Sequence, residues 1–468
     1  MFTLDDILEA TRGELLQKSE TFFTGVSTDT RTLKPGDLLV ALRGERSDGH
    51  QFLKEAVAKK TSALIIARDF EGEILPSVTV FAVHDTLQAL GDLAHFWRER
   101  HTARVIAVSG SNGKTTTKEL IAALLSHHSP TLKSEGNYNN LIGLPWTLFR
   151  LAPHHRFAVL ELGINQPGEM ERLAQIASPD IAVLTHIHTA HLEGLGSLEE
   201  VAQEKGRLLE GIEDGIAVLN RDDPFLRKLS ENFGGKIIWY GLQEGADVVG
   251  KGHKICGVGK GEFHLIAEGK KIEVTLPLVG EHNLYNLAAA AAAGLSCGID
   301  LQSMPEALKD FQPPPMRSRL LELPGEIFLV DDSYNGNPGS MSAALHLLGE
   351  QPVQGRRIAV LGDMLELGEF SLKAHEDLGM ELANSKVDLI YYYGKHVDDA
   401  EKGLRQSGNF YGEFHPIQNK EESAQQILTV LRPKDWVLVK GSRGMRMEEM
   451  VQYLLRSLKG IHAVSFSI

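Results

Sequence analysis

The sequence is poor in cysteine and contains no long apolar run. Two cysteines among 468 residues cannot build a disulfide framework, which indicates a reducing compartment. No stretch reaches the roughly 18 consecutive apolar residues of a membrane-spanning helix, and the longest candidate, residues 287–299, is short and rich in alanine. The opening segment, MFTLDDILEA, carries acidic side chains where a signal peptide needs Lys or Arg. We therefore expect a cytoplasmic protein without a membrane span.

Basic residues are also scarce relative to acidic ones. Lys and Arg total 48 against 62 Asp and Glu, which gives a formal net charge of −14. Since an acidic surface repels phosphate backbones, we do not expect nucleic-acid binding. A small phosphorylated ligand remains compatible with this charge, because a mononucleotide needs only one local pocket. The length predicts about three domains.

Apolar strand patterns alternate with helical patterns, which predicts an α/β protein with parallel sheets. Three prolines within residues 312–319 mark a boundary, because they cannot continue a helix. Within residues 236–278 short alternating runs predict an antiparallel insertion. Strands are predicted at residues 37–42, 62–67, 104–110, 157–163, 180–187, 215–220, 326–332, 356–364, 387–394 and 435–444. Ligands of open α/β sheets bind at the carboxyl ends of such strands.

The strongest motif is GSNGKTTTKE at residues 110–119. It follows a buried strand and precedes a helical pattern, the context in which a glycine-rich loop binds phosphate. Backbone N–H groups of the loop would face anionic oxygens, Lys114 would add a positive charge, and Thr115 would offer its hydroxyl to Mg²⁺. Val108 stands where the usual pattern has a Gly, five positions before Gly113, which indicates a shorter glycine loop.

Two further strand ends carry candidate metal ligands. Glu161 ends the strand FAVLELG and would bind Mg²⁺ if that strand neighbours the phosphate loop; alone, such a Glu is more often solvated. His186, His188 and His191 follow the strand DIAVLTHI. No Cys or carboxylate cluster completes a zinc site, so one His facing a metal or phosphate is favoured. The spacing does not choose among the three.

Other candidates lie on predicted helices. Lys205, taken alone, is interpreted as a solvated helix lysine. Asn283 and Asn286 lie one turn apart on one helical face, where their amides could contact a base or ribose. Helix capping by Asn283 is the alternative interpretation.

In the third zone, polar residues concentrate at two predicted strand ends. The loop DDSYNGNPGS at residues 331–340 holds acids, a Tyr and two Asn, and a second loop holds Lys440, Ser442 and Arg443. Carboxylate and Arg groups at one sheet edge suit a zwitterionic, amino-acid-like ligand, because Arg can hold a carboxylate bidentately. Ordinary turn and cap chemistry is the alternative.

Together these motifs resemble the Mur ligases, ATP-dependent enzymes that form amide bonds in peptidoglycan precursor synthesis. The resemblance covers nearly the whole chain and is carried by GSNGKTT, GNYNNLIGLP at 136–145, ELG, AHLEG, the Lys205 segment, GEHNLYN, an Arg after the proline-rich boundary and DDSYNGNP. Residues 25–52 are similar to the uridine-nucleotide-binding domain of the stem-extending members. DDSYNGNPGSM, LGDMLELGE (361–369) and KGSRGMRMEEMV (440–451) resemble the member that adds D-alanyl-D-alanine to UDP-N-acetylmuramoyl-tripeptide.

The resemblance implies a domain organisation and a nucleotide site. A small N-terminal α/β domain would span residues 1–83, a central P-loop parallel-sheet ATPase domain 84–311 and a C-terminal Rossmann-like ligase domain 312–468. The triphosphate would be cradled by Gly110, Ser111, Asn112, Gly113, Lys114, Thr115 and Thr116. Adenine would contact Asn283 and Asn286, the ribose would lie near Asp332, and Arg317 would reach the phosphates. The implied Mg²⁺ ligands are Thr115, Glu161, His191 and a carbamylated Lys205.

The remaining implied roles concern the substrates. The uridine diphosphate would be surrounded by Thr28, Asp29, Thr30, Arg31 and residues 44–47. Asn139 or Asn140 would contact the phosphates or the metal. The incoming dipeptide would lie near Asn335, Asn337 and the loop from Lys440 to Arg443.

The implied reaction is sequential, with Lys114, Glu161, His191 and Lys205 in catalytic roles. The tripeptide carboxylate takes the γ-phosphate from ATP, and the dipeptide amine then displaces phosphate from the acyl phosphate. Two alternatives remain: the diaminopimelate- or lysine-adding Mur ligase, and a non-catalytic nucleotide-binding module. A folylpolyglutamate synthetase is disfavoured because it lacks the uridine-binding first zone. We expect a monomer whose domain closure gates the reaction.

Overall fold

The computed structural model describes residues 1–44, 47–74, 76–188, 192–212, 214–257, 259–351, 354–408 and 410–459. Contacts divide the chain into two compact units. The first comprises Met1–Ala107, Ser129–Ile164 and Gly168–Asp180, and the second comprises Val108–His128, Asn165–Pro167 and the described part of Ile181–Ile468. The finer division into three domains, with boundaries after residues 83 and 311, stays a prediction.

Strands and helices alternate along most of the chain. The strands are β1 (Phe2–Thr3), β2 (Glu14–Gln17), β3 (Phe22–Phe23), β4 (Val26–Ser27), β5 (Leu38–Val40), β6 (Ala63–Ala67), β7 (Thr79–Val83), β8 (Arg104–Ser109), β9 (Thr131–Lys133), β10 (Phe157–Glu161), β11 (Ile181–Leu184), β12 (Ile216–Asn220), β13 (Lys236–Gly241), β14 (Val248–Gly257), β15 (Lys260–Ala267), β16 (Lys270–Leu276), β17 (Arg319–Leu323), β18 (Ile327–Asp332), β19 (Arg357–Gly362), β20 (Leu389–Tyr393), β21 (Glu413–Ile417) and β22 (Trp436–Lys440). The helices are α1 (Leu4–Thr11), α2 (Leu53–Ala58), α3 (Thr86–Glu99), α4 (Lys114–His128), α5 (Gly143–Leu148), α6 (Glu169–Ala177), α7 (Leu192–Leu195), α8 (Leu198–Glu210), α9 (Pro224–Ser230), α10 (Glu281–Ser296), α11 (Met304–Ala307), α12 (Pro338–Glu350), α13 (Ser371–Asn384), α14 (Val397–Gln406), α15 (Lys420–Val430) and α16 (Glu448–Lys459).

The first unit contains a sheet in the order β2-β7-β6-β5-β4, in which only β2 runs antiparallel to its neighbour. Strand β6 shows why these residues form a central strand. Ala63 and Ile65 pack into one hydrophobic core, while Leu64 and Ile66 pack into a second core on the opposite face. A strand buried on both faces needs a continuous apolar sequence, which is what ALIIA provides. In the same unit β9 and β10 pair in parallel.

In the second unit β11, β12, β13 and β14 pair in parallel, and β14, β15 and β16 form an antiparallel meander. The predicted antiparallel insertion is therefore confirmed for the last three strands, whereas β13 continues the parallel order. Helix α10 packs against α4, and its alanines at residues 288–293 are buried. Their small side chains allow the two helix backbones to approach closely. No described helix is both long and apolar enough to cross a membrane.

The carboxyl-terminal part of the second unit is a sheet in the order β17-β18-β22-β19-β20-β21, parallel except for β17. Alternate residues of β22 face opposite cores, with Leu438 in one and Val437 and Val439 in the other. The carboxyl ends of β18, β22 and β19 are adjacent, so the loops that follow them meet at one sheet edge. The sequence did not predict β21, since Pro416 weakens its strand pattern; at the edge of a sheet proline is tolerated.

Asp435 offers a test of what holds this sheet together. Its buried carboxylate accepts hydrogen bonds from the backbone N–H of Arg356 (2.8 Å), the guanidinium of Arg356 (2.6 Å) and the backbone N–H of Arg432 (2.9 Å). We expect Asp435→Ala to lower the free energy of unfolding by about 3–5 kcal/mol, because it leaves a cation and two N–H groups unpaired. Chemical denaturation measures this. Arg405→Ala, which removes an exposed ion pair with Glu401, is the control and should change stability little; equal effects would contradict the prediction.

Candidate active site

The phosphate loop between β8 and α4 has a backbone that only glycine adopts without strain. Gly110 has φ 140° and Gly113 has φ 82°. A Cβ at Gly110 would lie 2.0 Å from Thr185 Oγ1, and a Cβ at Gly113 would lie 2.3 Å from Asn286 Oδ1. Helix α4 begins at Lys114, so its first unpaired N–H groups follow directly on this loop. The result is a glycine turn that leads into a helix N-terminus, which is the geometry that the motif predicted and that favours an anion.

Hydrogen bonds hold the phosphate loop against the carboxyl end of β11. The Ser111 N–H donates to the His186 carbonyl (2.6 Å). The Ser111 hydroxyl donates to the carbonyl of His188 and accepts from its N–H, both at 2.9 Å. Thr185 Oγ1 donates to the Asn112 carbonyl at 2.5 Å. The loop is therefore preformed in the protein alone.

Lys114 lies across this loop. Its Nζ donates to the carbonyls of Gly110 (2.8 Å) and Ser111 (3.1 Å). These hydrogen bonds hold the ammonium group of Lys114 beside the backbone of residues 110 and 111. Thr115 and Thr116 occupy the first turn of α4 and are buried.

Burial keeps the two described histidines of this region uncharged. It lowers the pKa of His186 to about 3, with the nearby His188 and His282 adding to the effect. It also lowers the pKa of His188. The two rings stack with centroids 5.4 Å apart, and the Asn220 amide nitrogen lies 3.1 Å from His186 Nδ1. His191, the predicted metal ligand, lies outside the described residues.

Lys205 is not a solvated helix lysine, so that interpretation was wrong. A capping box formed by Ser197 and Glu200 starts α8, and the helix carries the Lys205 side chain fully into the interior. Its Nζ has no hydrogen-bond partner among the described residues. Burial, assisted by the charge of Lys114, lowers its pKa well below the usual range. The side chain is thus a buried amine whose charged form is disfavoured and which needs a polar partner.

Glu161 shows a similar unmet requirement within the first unit. Its Oε1 accepts from Asn139 Nδ2 at 2.9 Å, while the buried Oε2 has no partner among the residues described. Asn140 has a local task, because its Oδ1 accepts from the N–H groups of Ile142 (3.1 Å) and Gly143 (2.8 Å). Of the two asparagines, Asn139 is therefore the one that contacts a candidate metal ligand.

The two asparagines of α10 are buried beside α4. Asn286 Nδ2 donates to Asn283 Oδ1 at 3.0 Å, and Thr117 Oγ1 donates to Asn286 Oδ1 at 3.3 Å. Helix α10 has Gly280 as its N-cap, without a side-chain cap, so the capping interpretation of Asn283 was wrong. Burial lowers the pKa of the neighbouring His282 to about 4.

Charged and aromatic side chains converge beyond β18 and β22. Lys440 Nζ and Asp332 Oδ2 form an ion pair at 2.5 Å. The Arg317 guanidinium lies 4.0 Å from the centre of the Tyr334 ring, and that of Arg443 lies 5.8 Å from it. Two cations thus flank one aromatic ring at the sheet edge where an anionic group would be recognised.

A reciprocal amide pair joins the phosphate loop to the loop after β18. Asn337 Nδ2 donates to Asn112 Oδ1 at 2.8 Å, and Asn112 Nδ2 donates to Asn337 Oδ1 at 3.3 Å. Asn337 is also the N-cap of α12, since its Oδ1 accepts from the Ser340 N–H at 2.9 Å. In the second unit, two sets of residues predicted from separate motifs are therefore in direct contact.

The predicted uridine-binding residues follow β4 in the first unit. Arg31 and Asp29 form an exposed ion pair at 2.6 Å. Thr30 is buried, and its carbonyl accepts from Lys59 Nζ at 2.8 Å. Thr28 lies between these residues and β4, and Glu45 and Arg46 of the segment 44–47 lie outside the described residues.

Comparison with known proteins assigns the family. Residues 22–98 match the Mur ligase family catalytic domain, residues 108–294 the Mur ligase middle domain, and residues 316–443 the Mur ligase glutamate ligase domain. A UDP-N-acetylmuramoyl-tripeptide–D-alanyl-D-alanine ligase of Escherichia coli is 37% identical over 97% of this chain and 98% of its own length. The chain belongs to the Mur ligase family. A Bacillus subtilis ligase of the same name is 34% identical over 97% of this chain and 98% of its own.

This Mur ligase is also similar to solved structures of MurF. A crystal structure of MurF from Acinetobacter baumannii has a TM-score of 0.89 and 32% identity over 97% of this chain and 99% of its own. MurF of Thermotoga maritima, solved in complex with ADP, has a TM-score of 0.83 and 30% identity over 93% of this chain and 98% of its own. The predicted family and α/β fold class are thereby confirmed.

Sequence reasoning missed two residues of this Mur ligase that hold the backbone following β11, against which the phosphate loop packs. Buried Tyr240 donates its hydroxyl to the carbonyls of Leu184 (3.0 Å) and Thr185 (2.8 Å), and Asp223 accepts from the Ile187 N–H at 2.8 Å. Both residues fix the backbone that carries Thr185. Tyr240 lies near the end of β13, a strand predicted only as part of an insertion, and no local pattern connects it to β11.

The close contact at Gly113 predicts the effect of a single methyl group on nucleotide binding. We expect Gly113→Ala to weaken ATP binding by about tenfold or more, because the added Cβ displaces Asn286 and strains a positive φ. Isothermal titration with ATP measures the affinity. Gly234→Ala is the matched control, since no atom lies within 4 Å of its Cβ position. Equal ATP affinity in the two variants would refute the role of the close contact.

Proposed function

We propose that this chain is the ATP-dependent ligase that joins D-alanyl-D-alanine to UDP-N-acetylmuramoyl-tripeptide, forming the pentapeptide precursor of peptidoglycan in the bacterial cytoplasm. The observation that carries the proposal is the Asn112–Asn337 amide pair, which joins a preformed phosphate loop to a loop suited to an amino-acid-like ligand. Relatives at 34–37% identity over 97% of the chain bear the name of this activity.

The first step transfers the γ-phosphoryl group of ATP to the terminal carboxylate of the tripeptide. A carboxylate oxygen forms the new bond to phosphorus, the bond to the β-phosphate oxygen breaks, and ADP leaves. Two anions approach one another here, so positive charge is required between them. Lys114, held over the loop, supplies it together with the unpaired N–H groups at the start of α4.

In the second step the dipeptide amine attacks the acyl phosphate. The amine must first lose a proton, since its ordinary pKa lies near 8. The new amide bond forms as inorganic phosphate departs. Arg443 and the ring of Tyr334 lie at the sheet edge proposed for the dipeptide, where a guanidinium can pair with its carboxylate. Asn335 supports this loop, because its Oδ1 accepts from the Arg443 N–H at 3.1 Å.

Two orphaned atoms, one in each unit, have the chemistry that a requirement for Mg²⁺ would explain. Mg²⁺ prefers hard oxygen ligands, and when bound it neutralises phosphate charge. Glu161 Oε2 and Lys205 Nζ are both buried without a described partner. Burial lowers the pKa of the Lys205 amine and so favours its unprotonated form, which can react with CO₂. That reaction would turn Lys205 into a carboxylate-like ligand. We propose Glu161, the Thr115 hydroxyl, carbamylated Lys205 and His191 as the residues that hold the ion.

The remaining substrate contacts are proposed from the family resemblance. Thr28, Asp29, Thr30 and Arg31 would bind the uridine diphosphate, with Asn139 and Asn140 near phosphate or metal. Asn283 and Asn286 would contact adenine. Asp332 would lie near the ribose, and Arg317 would reach the phosphates.

Phosphate release distinguishes the candidate functions. We expect release from UDP-N-acetylmuramoyl-tripeptide, ATP and Mg²⁺ that depends on D-alanyl-D-alanine. A diaminopimelate- or lysine-adding ligase would instead require a UDP-linked dipeptide and the free amino acid. A non-catalytic module would bind ATP without release in either mixture. Absence of dipeptide-dependent release with intact tripeptide substrate would overturn the proposal.

Lys205→Ala tests the carbamate. We expect activity to fall by more than about 100-fold, beyond what outer-sphere partners of a metal usually contribute. Short carboxylates such as formate or acetate should restore part of the activity, because they can occupy the cavity left by the side chain. Lys309→Ala, which changes an exposed lysine paired with Glu306, is the control. Wild-type activity in Lys205→Ala would exclude the role.

A further inference from the structure

Three loops meet at the carboxyl edge of the carboxyl-terminal sheet of the second unit. We call them the first loop (333–337, after β18), the second loop (363–367, after β19) and the third loop (441–445, after β22). Strand β22 lies between β18 and β19 in the sheet. The third loop is therefore in the middle, where it can contact both of the others.

Ser442 of the third loop makes those contacts with one buried hydroxyl. Its Oγ donates to the Gly336 carbonyl of the first loop at 2.6 Å. The same oxygen accepts from the Leu365 N–H of the second loop at 2.8 Å. Its backbone N–H donates to the Asp363 carbonyl at 3.1 Å. A hydroxyl can donate one hydrogen bond and accept others. Here the donated bond reaches the first loop and an accepted bond reaches the second loop.

The two loops joined by Ser442 both contact the central part of the same unit. Gly336 immediately precedes Asn337, whose amide pairs with Asn112 of the phosphate loop. Leu365 immediately precedes Glu366, whose carbonyl accepts from the Glu193 N–H in α7 at 3.2 Å. The Ser442 hydroxyl thus connects both of these contacts through a path of a few bonds.

The second loop is the fixed member of the three. The Asp363 carboxylate accepts from the N–H groups of Lys395 (2.8 Å) and His396 (3.3 Å). The Met364 N–H donates to Nε2 of buried His375 at 3.0 Å. This anchoring lies on the side away from Ser442. Through its two hydrogen bonds, the Ser442 hydroxyl therefore fixes the first loop to the anchored second loop.

We propose that Ser442 is a positioning residue for the incoming dipeptide. By fixing the first loop to the second, it holds Asn335 and Asn337 where they face the dipeptide and the phosphate loop together. This inference rests on the proposed function, since it assumes that the first loop contacts the dipeptide. The inference goes beyond the proposed function, because it makes the affinity for the dipeptide depend on a hydroxyl that need not contact the dipeptide.

The kinetic test uses Ser442→Ala in the full chain. We expect the KM for D-alanyl-D-alanine to rise about tenfold, as for loss of a buried hydroxyl with two partners. The Kd for ATP should stay within about twofold, because the phosphate loop is held by β11. Ser442→Thr keeps the hydroxyl and should restore the KM. Ser423→Ala, which changes a buried serine in α15, is the matched control.

A second measurement does not depend on turnover. Hydrogen exchange in peptides covering residues 333–337 and 363–367 should rise in both loops of Ser442→Ala and in neither loop of Ser423→Ala. A lower melting temperature with an unchanged KM, or faster exchange in one loop only, would overturn the proposal. If wild-type enzyme shows no dipeptide-dependent phosphate release, the proposed function fails by itself. The exchange experiment then still decides whether Ser442 couples the loops.

Discussion

The close approach of two glycine backbones to their neighbours is the constraint on which the conformation of the phosphate loop depends. Gly110 lies against the Thr185 hydroxyl and Gly113 lies against the Asn286 amide, with no room for a Cβ at either position. Through these contacts the phosphate loop is fitted to the end of β11 and to the start of α10. Contacts within the protein therefore hold the turn in one conformation, which reduces the ordering cost of binding a ligand there.

Charge is organised locally in a chain that is acidic as a whole. The net charge of −14 gives no positive surface for phosphate, so the phosphate loop uses N–H groups and Lys114 held by two carbonyls. In the same unit, burial and the Lys114 charge lower the pKa of the Lys205 amine well below its usual range. Two lysines of the second unit thus differ: Lys114 donates to two loop carbonyls, whereas the buried Lys205 amine has no described partner. Burial produces this difference.

Much of the fold was predictable because strong local patterns agree with it. The strand ALIIA and the segment IAVL of β19 are apolar throughout, as strands covered on both faces must be, and both pair in parallel with their neighbours. The edge strand β21 escaped prediction because its proline conflicts with strand propensity. Lys205 was misread without the family resemblance, since helix position alone does not reveal which neighbours cover a side chain.

The sequence by itself determined the α/β class, the phosphate loop and the family, because these depend on local order: apolar runs, glycine spacing and a lysine after glycine. Only the tertiary structure decided which side chains meet. The pairing of Asn112 with Asn337, separated by 225 residues, follows from where two strand ends lie in space. The same holds for Ser442, whose neighbours Gly336 and Leu365 are distant in the chain. Such contacts depend on the order of the strands in the sheet. That order is set by packing across the whole unit, so no short segment of the sequence reveals it.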